Sequence, residues 1–385
     1  MTRNSVRFPL LPALVAAVLL AAAPVLAQPG LTQPPDGDNQ FASVTQGIGL
    51  VRVTIQYNSP DVHSPTGEDR RGKIWGGLVP YGMASLGFGT CGDQCPWRGG
   101  ANENTVFTTS HDVKIEGQPL PAGSYGLHFL PGQDEWTVIF SKNHTSWGSF
   151  TYDAKEDVLR VKVKPEKNAY NEWLTYEFID RKPDRAMAAL AWEDLRVPFT
   201  ISVDNVADLY IDEMRRELRS STGFTWQNWA AAARYCLQNN RNLEEGLKWA
   251  QTAASPGLGQ ENFTTLATLS ELQAANGKAD DAKKTLERAI DHPTAGPVDV
   301  HLYGRQLLAQ NKKEEAMRIF ELNAKKHPNA WPVHVGLARG NAALGRNKEA
   351  LAEARLALDT APDANSRQGV EMLIKQFEAA AGSSR

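Results

Sequence analysis

The sequence predicts a multi-domain protein that is α+β overall, with an all-β sandwich-like domain first and an all-α helical repeat domain after it. Apolar and polar residues alternate with period 2 in short segments up to residue 203, which is typical of strands buried on one face. A 34-residue repeat with helical spacing then occupies the C-terminal part. The length of 385 residues also favours two domains, because one compact core seldom accommodates so long a chain.

Composition and charge exclude several classes of protein. Charged residues make up 22% and hydrophobic residues 42% of the chain, which is typical of globular rather than disordered proteins. The 41 basic and 44 acidic residues nearly cancel, so no nucleic-acid partner is predicted. Three cysteines are too few for a disulfide scaffold or a four-thiolate metal site.

The first 27 residues have the pattern of an export signal. Arg3 and Arg7 precede an almost wholly apolar run at 10–23, and the small residues Val25 and Ala27 favour cleavage before residue 28. The run is short for a membrane span of about 20 residues, although an uncleaved anchor is the alternative. We therefore predict a signal peptide and a mature chain that is periplasmic or extracellular and has no transmembrane segment.

A flexible linker is predicted at 28–45, because residues 28–39 hold three prolines and two glycines and little to bury. The β domain is predicted at 46–203, and a closed barrel is the structural alternative to a sandwich. About nine strands are expected, at 51–57, 105–109, 113–116, 125–129, 136–140, 159–164, 173–179, 187–192 and 197–203.

Several separated motifs in this domain carry a family resemblance. They are RGKIWGGLVPYG at 71–82, WRGGANENT at 97–105, LPAGSYGL at 120–127, EWTVIF at 135–140 and VLRVKV at 158–163. In this order they resemble the family called domain of unknown function 2911, over roughly residues 45–200. The resemblance implies a bacterial, exported, β-rich domain and brings no established activity. The sequence departs from the family pattern at 83–96, where it carries a glycine-rich insertion.

Two cysteines, Cys91 and Cys95, lie in this insertion. We predict that they form a disulfide, because an exported protein meets an oxidising environment. Closing so small a ring contributes only about 2 kcal/mol through chain entropy. Zinc is not predicted, because no second pair of clustered ligands accompanies them.

After residue 203 the spacing of apolar residues becomes helical. A connecting helix is predicted at 204–222, with Asp204 as its N-cap. Three alanines then recur every 34 residues, and a small residue stands 12 positions before each of them. These pairs are Ser270 with Ala282, Gly304 with Ala316, and Ala338 with Ala350.

Small side chains at both places allow two antiparallel helices to approach closely, and the unit resembles the tetratricopeptide repeat. Repeat copies are predicted at 227–258, 263–294, 297–328 and 331–362, and a final capping helix at 365–381, within a domain of residues 223–385. Stacked helical pairs create a groove, so we predict a protein or peptide partner bound by the repeats.

The candidate ligand-binding residues lie in the β domain. They are Lys73, Trp75, Arg98, Asn102 and Glu103. Arginine and an amide beside tryptophan suit an anion, a peptide terminus or the face of a sugar. The other interpretation is that Arg98 pairs with Glu103 while Asn102 satisfies loop backbone.

No catalytic residue, metal site or cofactor is predicted. The glycine pattern at 87–92 lacks the strand and helix of a dinucleotide site, and the histidines of the β domain are scattered. We therefore predict an exported binding or scaffold protein rather than an enzyme. The alternatives are a hydrolase or lyase of cell-envelope glycan or peptide, using Arg98, Asn102, Glu103 and either His111 or His128, and a structural envelope component.

Overall fold

The computed structural model describes residues 39–382 of the chain. The predicted signal peptide at 1–27 and the linker up to residue 38 lie outside the described residues. Strands occupy the described chain up to Ser202, and α-helices follow from Val206 onward. No helix among residues 39–382 is long and apolar enough to cross a membrane.

Ten strands form the N-terminal part of the described chain. They are β1 (Gln40–Ile48), β2 (Val51–Ser59), β3 (Val106–Thr109), β4 (Val113–Ile115), β5 (Gln118–Leu120), β6 (Gly123–Leu130), β7 (Trp136–Ser141), β8 (Asp157–Val163), β9 (Glu166–Lys182) and β10 (Arg185–Ser202). One sheet has six strands in the order β1-β2-β3-β6-β7-β8, and the other has four in the order β5-β4-β10-β9. All pairings between neighbouring strands are antiparallel.

The two sheets pack on one shared core, which confirms the predicted sandwich. The ring of Phe199 from β10 lies 6.0 Å from that of Phe140 in β7 and 6.4 Å from that of Phe107 in β3. Tyr57 of β2 meets Tyr176 of β9 edge to face at 4.8 Å. Because the strands form two sheets that face each other, the structure differs from the closed barrel.

The predicted linker is wrong for residues 40–45, because β1 occupies them. β1 pairs with β2 along its whole length, from Gln40 opposite Ser59 to Ile48 opposite Val51. Its inward residues Ala42 and Val44 pack against the core, but its outward residues are exposed. Such an edge strand buries little apolar surface, and its sequence pattern is correspondingly weak.

The strand prediction also differs from the structure at β5 and β10. The short strand β5 was not predicted, and the predicted strands at 187–192 and 197–203 are one long strand, β10. The pairing of β10 with β9 shifts register on both sides of Glu193, whose φ is 55°. This irregularity bends β10 without ending it, so a break in the alternation does not mark a break in the strand.

Ten α-helices form the C-terminal part of the described residues. They are α1 (Val206–Glu217), α2 (Trp226–Asn239), α3 (Leu243–Ala254), α4 (Phe263–Ala275), α5 (Ala279–Asp291), α6 (Pro297–Ala309), α7 (Lys313–Lys326), α8 (Trp331–Ala343), α9 (Asn347–Asp359) and α10 (Ala364–Gly382). Four antiparallel pairs, α2–α3, α4–α5, α6–α7 and α8–α9, match the four predicted copies, and α10 follows as the predicted final helix. The tetratricopeptide-like arrangement is therefore confirmed.

Helix α1 connects the two parts of the structure. Val206 and Leu209 pack against the sandwich core, whereas Ile211 is buried among the first repeat helices. The predicted N-cap is wrong, because Asn205 holds that position in a left-handed conformation. Asp204 instead forms a salt bridge with Lys114 of β4.

Candidate functional site

Four tryptophans attach the long connection between β2 and β3 to both sheets. Trp75 and Trp97 come from this connection, Trp136 from β7 and Trp192 from β10. The ring of Trp75 lies 5.2 Å from Trp136 and 5.7 Å from Trp192, and Trp97 stacks on Trp192 at 6.3 Å with an interplanar angle of 17°. Aromatic burial of this size is a strong stabilising contribution, and it fixes the connection in place.

A disulfide and a close glycine contact further fix this connection. Cys91 and Cys95 are joined by a disulfide with their Cα atoms 5.3 Å apart, and Cys95 is buried. Gly99 has a φ of 65°, and a Cβ at this position would lie 2.6 Å from the Tyr176 hydroxyl. Only glycine combines this backbone conformation with so close an approach.

The connection encloses a cavity of about 310 Å³. Its lining includes the two tryptophans Trp97 and Trp192 and three charged residues, Asp61, Arg70 and Arg98. Leu78 also lines it and is 51% exposed, so the cavity has an apolar mouth. The volume lies at the lower end of the range for sites that bind small organic molecules.

Among the charged lining residues, Arg98 has no ion pair within residues 39–382. Its guanidinium carbon lies 5.6 Å from the ring centroids of both Trp147 and Phe150. Its Nη1 is buried, and within residues 39–382 it has no hydrogen-bond acceptor. Burial lowers the pKa of Arg98 from its ordinary value, and the negative charge of Glu103 acts in the opposite direction.

Arg70, the other arginine of the cavity, has both hydrogen-bond and ion-pair partners. Arg70 donates hydrogen bonds to the backbone carbonyls of Asp61, Val62 and His63, at 3.0, 2.9 and 3.2 Å. Its guanidinium also lies 3.5 Å from the Asp61 carboxylate. The charges of Arg70 and Asp61 cancel, so the positive charge of Arg98 is left uncompensated among the described lining residues.

Four of the five predicted ligand-binding residues lie outside the cavity lining, and Lys73 and Trp75 are two of them. Lys73 is exposed and pairs with Glu68 at 3.3 Å. Trp75 belongs to the tryptophan cluster, and its Nε1 is buried with no acceptor in the described chain. Neither side chain is among the residues that line the cavity.

Asn102 and Glu103 are held by neighbouring amides. The Asn39 side chain donates to Asn102 Oδ1 at 3.1 Å, and the Asn58 side chain donates to Glu103 Oε2 at 2.8 Å. The interpretation in which Arg98 pairs with Glu103 is not what the structure shows, because no salt bridge joins them. Of the five predicted residues, Arg98 alone lines the cavity.

The two histidines considered for catalysis lie apart. His111 contacts Ser110 at the surface, whereas His128 is 2% exposed and its Nδ1 lies 3.1 Å from the hydroxyl of Ser149, which lines the cavity. Burial, helped by the positive charge of Arg98, lowers the pKa of His128 to about 4. No cluster of three metal-ligating side chains occurs among residues 39–382.

A second concave site lies in the helical part. It is a groove of about 780 Å³ formed by α2 and by α4 to α7. We call it the repeat groove. Its charged lining consists of the cations Arg234, Lys283, Lys312 and Arg318 and the carboxylates Glu271 and Glu315.

The charges of the repeat groove differ in how they are paired. Arg318 lies 3.4 Å from Glu287, whereas Lys283 and Lys312 have no ion pair in the described part of the chain. Burial raises the pKa of Glu271, although the neighbouring Tyr303 hydroxyl favours its charged form. The groove therefore presents a net positive charge, and one of its two acids is easier to protonate than usual.

Sequence reasoning predicted the groove but named no side chain in it. Glu271, which directly follows the repeat position Ser270, lines the groove. Arg305 and Arg339, in the equivalent positions of α6 and α8, do not, so the repeat period alone does not identify the lining. In the cavity, Trp192 and Leu78 were missed because neither carries a motif that distinguishes a lining residue from a core or loop residue.

A comparison with protein families finds a match in the N-terminal part of the chain. Residues 39–201 match the family model described as protein of unknown function (DUF2911). The cavity-lining residues, from Asn39 to Trp192, thus all fall within the DUF2911 region, and the predicted relation to this family is confirmed. No curated protein matches the sequence significantly.

Several solved structures resemble the chain in part. A structure of MamA is 15% identical, with a TM-score of 0.25, and covers 41% of this chain and 82% of its own. YrrB, described as a TPR protein with an unusual peptide-binding site, is 17% identical with a TM-score of 0.25 over 44% of this chain and 89% of its own. A thermophilic TPR protein of Thermus thermophilus is 18% identical, with a TM-score of 0.29, over 44% and 91% respectively.

Proposed function

We propose that the protein is an exported binding protein whose repeat groove holds an extended peptide segment with acidic side chains. The observation that carries this proposal is the charge of the groove, where four cations face two carboxylates. Stacked helical pairs provide a long concave surface without catalytic groups, which suits a segment of another protein. The partner is a peptide or a protein, and no reaction is part of the proposal.

The pairing of the groove charges indicates an acidic partner. Lys283 and Lys312 have no ion pair within residues 39–382, so a partner carboxylate would meet them without displacing an existing contact. Complementary charge mainly sets selectivity and the rate of association.

The proposed location rests on the first 27 residues. Two arginines, an apolar run and Ala27 before the expected cleavage point support export to the periplasm or beyond the cell. An exported groove would meet envelope or extracellular proteins. Detection of a mature N-terminus at Gln28 in protein isolated from the producing cells would test this location.

A charge-reversal titration tests the groove. Isothermal titration calorimetry of the full-length protein would use a short peptide of alternating glutamate and leucine, and the same peptide with glutamine in place of glutamate. The acidic peptide should bind more tightly. The double substitution Lys283→Glu and Lys312→Glu should weaken its binding about tenfold or more, which is about 1.4 kcal/mol.

The chain offers a closely matched control. Lys284 and Lys313 are the immediate neighbours of the two groove lysines, are exposed, and do not line the groove. Lys284→Glu with Lys313→Glu changes the net charge equally and should leave the affinity close to that of the unsubstituted protein. Equal weakening by both pairs would show a general charge effect and contradict the proposal, as would equal binding of the two peptides.

A further inference from the structure

The DUF2911 region contains two buried N–H donors beside one cavity. Arg98 and Trp192 both line the cavity of about 310 Å³. Arg98 Nη1 and Trp192 Nε1 are each buried without an acceptor among the described residues. Both side chains therefore have hydrogen-bonding capacity in the wall of the cavity that the described residues do not use.

The charge of the cavity favours an anionic ligand. Asp61 and Arg70 compensate each other, and the Arg98 guanidinium has neither a salt bridge nor a hydrogen bond within residues 39–382. The positive charge of Arg98 is also only partly screened by water, because the side chain is largely buried against Trp147 and Phe150. A guanidinium in this setting binds a carboxylate strongly.

The rest of the lining favours a flat apolar body. Trp97 and Trp192 are stacked nearly parallel, and Leu78 and Leu86 lie at the mouth with 51% and 37% of their surface exposed. Leu86 belongs to the insertion at 83–96, whose disulfide includes the cavity-lining residue Cys95. Exposed leucines at the rim of a concave site are typical of a surface that contacts a ligand.

We infer that this cavity binds a small planar monocarboxylate, with the carboxylate on Arg98 and the apolar body between the tryptophans and the leucines of the mouth. The site is separate from the repeat groove and does not depend on the peptide-binding function proposed for it. It gives the DUF2911 region a binding role of its own.

Three probes that differ only in their polar group test this inference. Cinnamate is a planar monocarboxylate, cinnamamide is its neutral counterpart, and cinnamylamine carries a positive charge on the same body. In calorimetric titrations of the full-length protein with its disulfide intact, cinnamate should bind about tenfold or more tightly than either of the others. Equal affinity for all three, or no binding of cinnamate, would overturn the inference.

Substitutions then locate the site. Arg98→Met should weaken cinnamate binding about tenfold or more, whereas Lys73→Met, which removes the same charge from an exposed position outside the cavity lining, should leave it unchanged. If circular dichroism shows that the Arg98 variant is unfolded, Leu78→Glu provides the same test from the exposed mouth, because a carboxylate there should repel cinnamate. Unchanged cinnamate affinity in a folded variant of either kind would contradict the assignment.

Discussion

Replacing Phe320 with alanine is expected to lower the free energy of unfolding of the helical repeats by about 3–5 kcal/mol. Phe320 belongs to α7 and is completely buried. A cavity left by a removed core phenyl ring is filled only in part by relaxation of its surroundings, so the lost contacts are not recovered.

The surroundings of Phe320 explain why the loss of unfolding free energy should lie near the upper end of this range. Glycines of two neighbouring helices, Gly304 in α6 and Gly336 and Gly340 in α8, make room for the ring. A Cβ at Gly304 would lie 2.3 Å from Phe320 Cε1, and a Cβ at Gly336 would lie 2.5 Å from Cδ1. Three helices therefore converge on one side chain, and glycines offer no side chains that could move into the space it leaves.

Urea denaturation followed by the helical circular dichroism signal would measure this loss. Phe224→Ala is the control. Because the Phe224 side chain is 75% exposed, its removal should lower the free energy of unfolding only slightly. If the Phe320 and Phe224 variants were equally stable, the packing described between α6, α7 and α8 would be wrong.

Acidification is expected to destabilise the protein through His128, by about 3 kcal/mol between about pH 8 and about pH 4. The side chain is 2% exposed, and burial together with the positive charge of Arg98 lowers its pKa to about 4 from an ordinary value of 6.5. As the pH falls below 6.5, His128 becomes protonated in the unfolded chain. In the folded chain it stays neutral until the pH reaches about 4. Protonation therefore favours the unfolded chain in this window, and the free energy of unfolding falls.

The pH dependence of the His128→Gln variant would test this prediction. Urea denaturation at about pH 8 and about pH 5 should show a decrease in stability that is about 2 kcal/mol smaller in the variant than in the unsubstituted protein. His144→Gln, at a partly exposed position, should leave the decrease unchanged. The prediction fails if His128→Gln and the unsubstituted protein lose equal stability.

Strands with a strong alternation of apolar and polar residues were predictable, whereas edge and irregular strands were not. β2 and β8 each present one apolar face to the core, so period 2 is visible in the sequence. β1 and β5 are held mainly by backbone hydrogen bonds, which leave no pattern of side chains. Glu193 interrupts the pattern of β10 because the local irregularity changes which face its neighbours occupy.

The repeats were predictable because close helix packing restricts the residue type at each contact. Ala282, Ala316 and Ala350 are buried between paired helices, and larger side chains there would separate the helices. The same requirement recurs in every unit, so it appears in the sequence as a period. The N-cap of α1 was not predictable, because Asp204 forms a salt bridge with Lys114 of β4. A contact between distant segments of this kind leaves no local pattern in the sequence.

The candidate site was predictable only in part. The residue types at 71–105 indicated ligand chemistry, and Arg98 does line a cavity. Which of these residues share a cavity depends on contacts between distant segments, such as that of Trp192 in β10 with Trp97 in the β2–β3 connection. A single sequence carries no record of those contacts.

Hydrogen–deuterium exchange of the full-length protein, with and without a saturating amount of the acidic peptide, tests the central claim most directly. If the repeat groove holds the peptide, backbone exchange should slow in α4 to α7, which line the groove, and stay unchanged at 39–201. Slower exchange confined to 39–201, or no change in α4 to α7 at saturation, would contradict the claim.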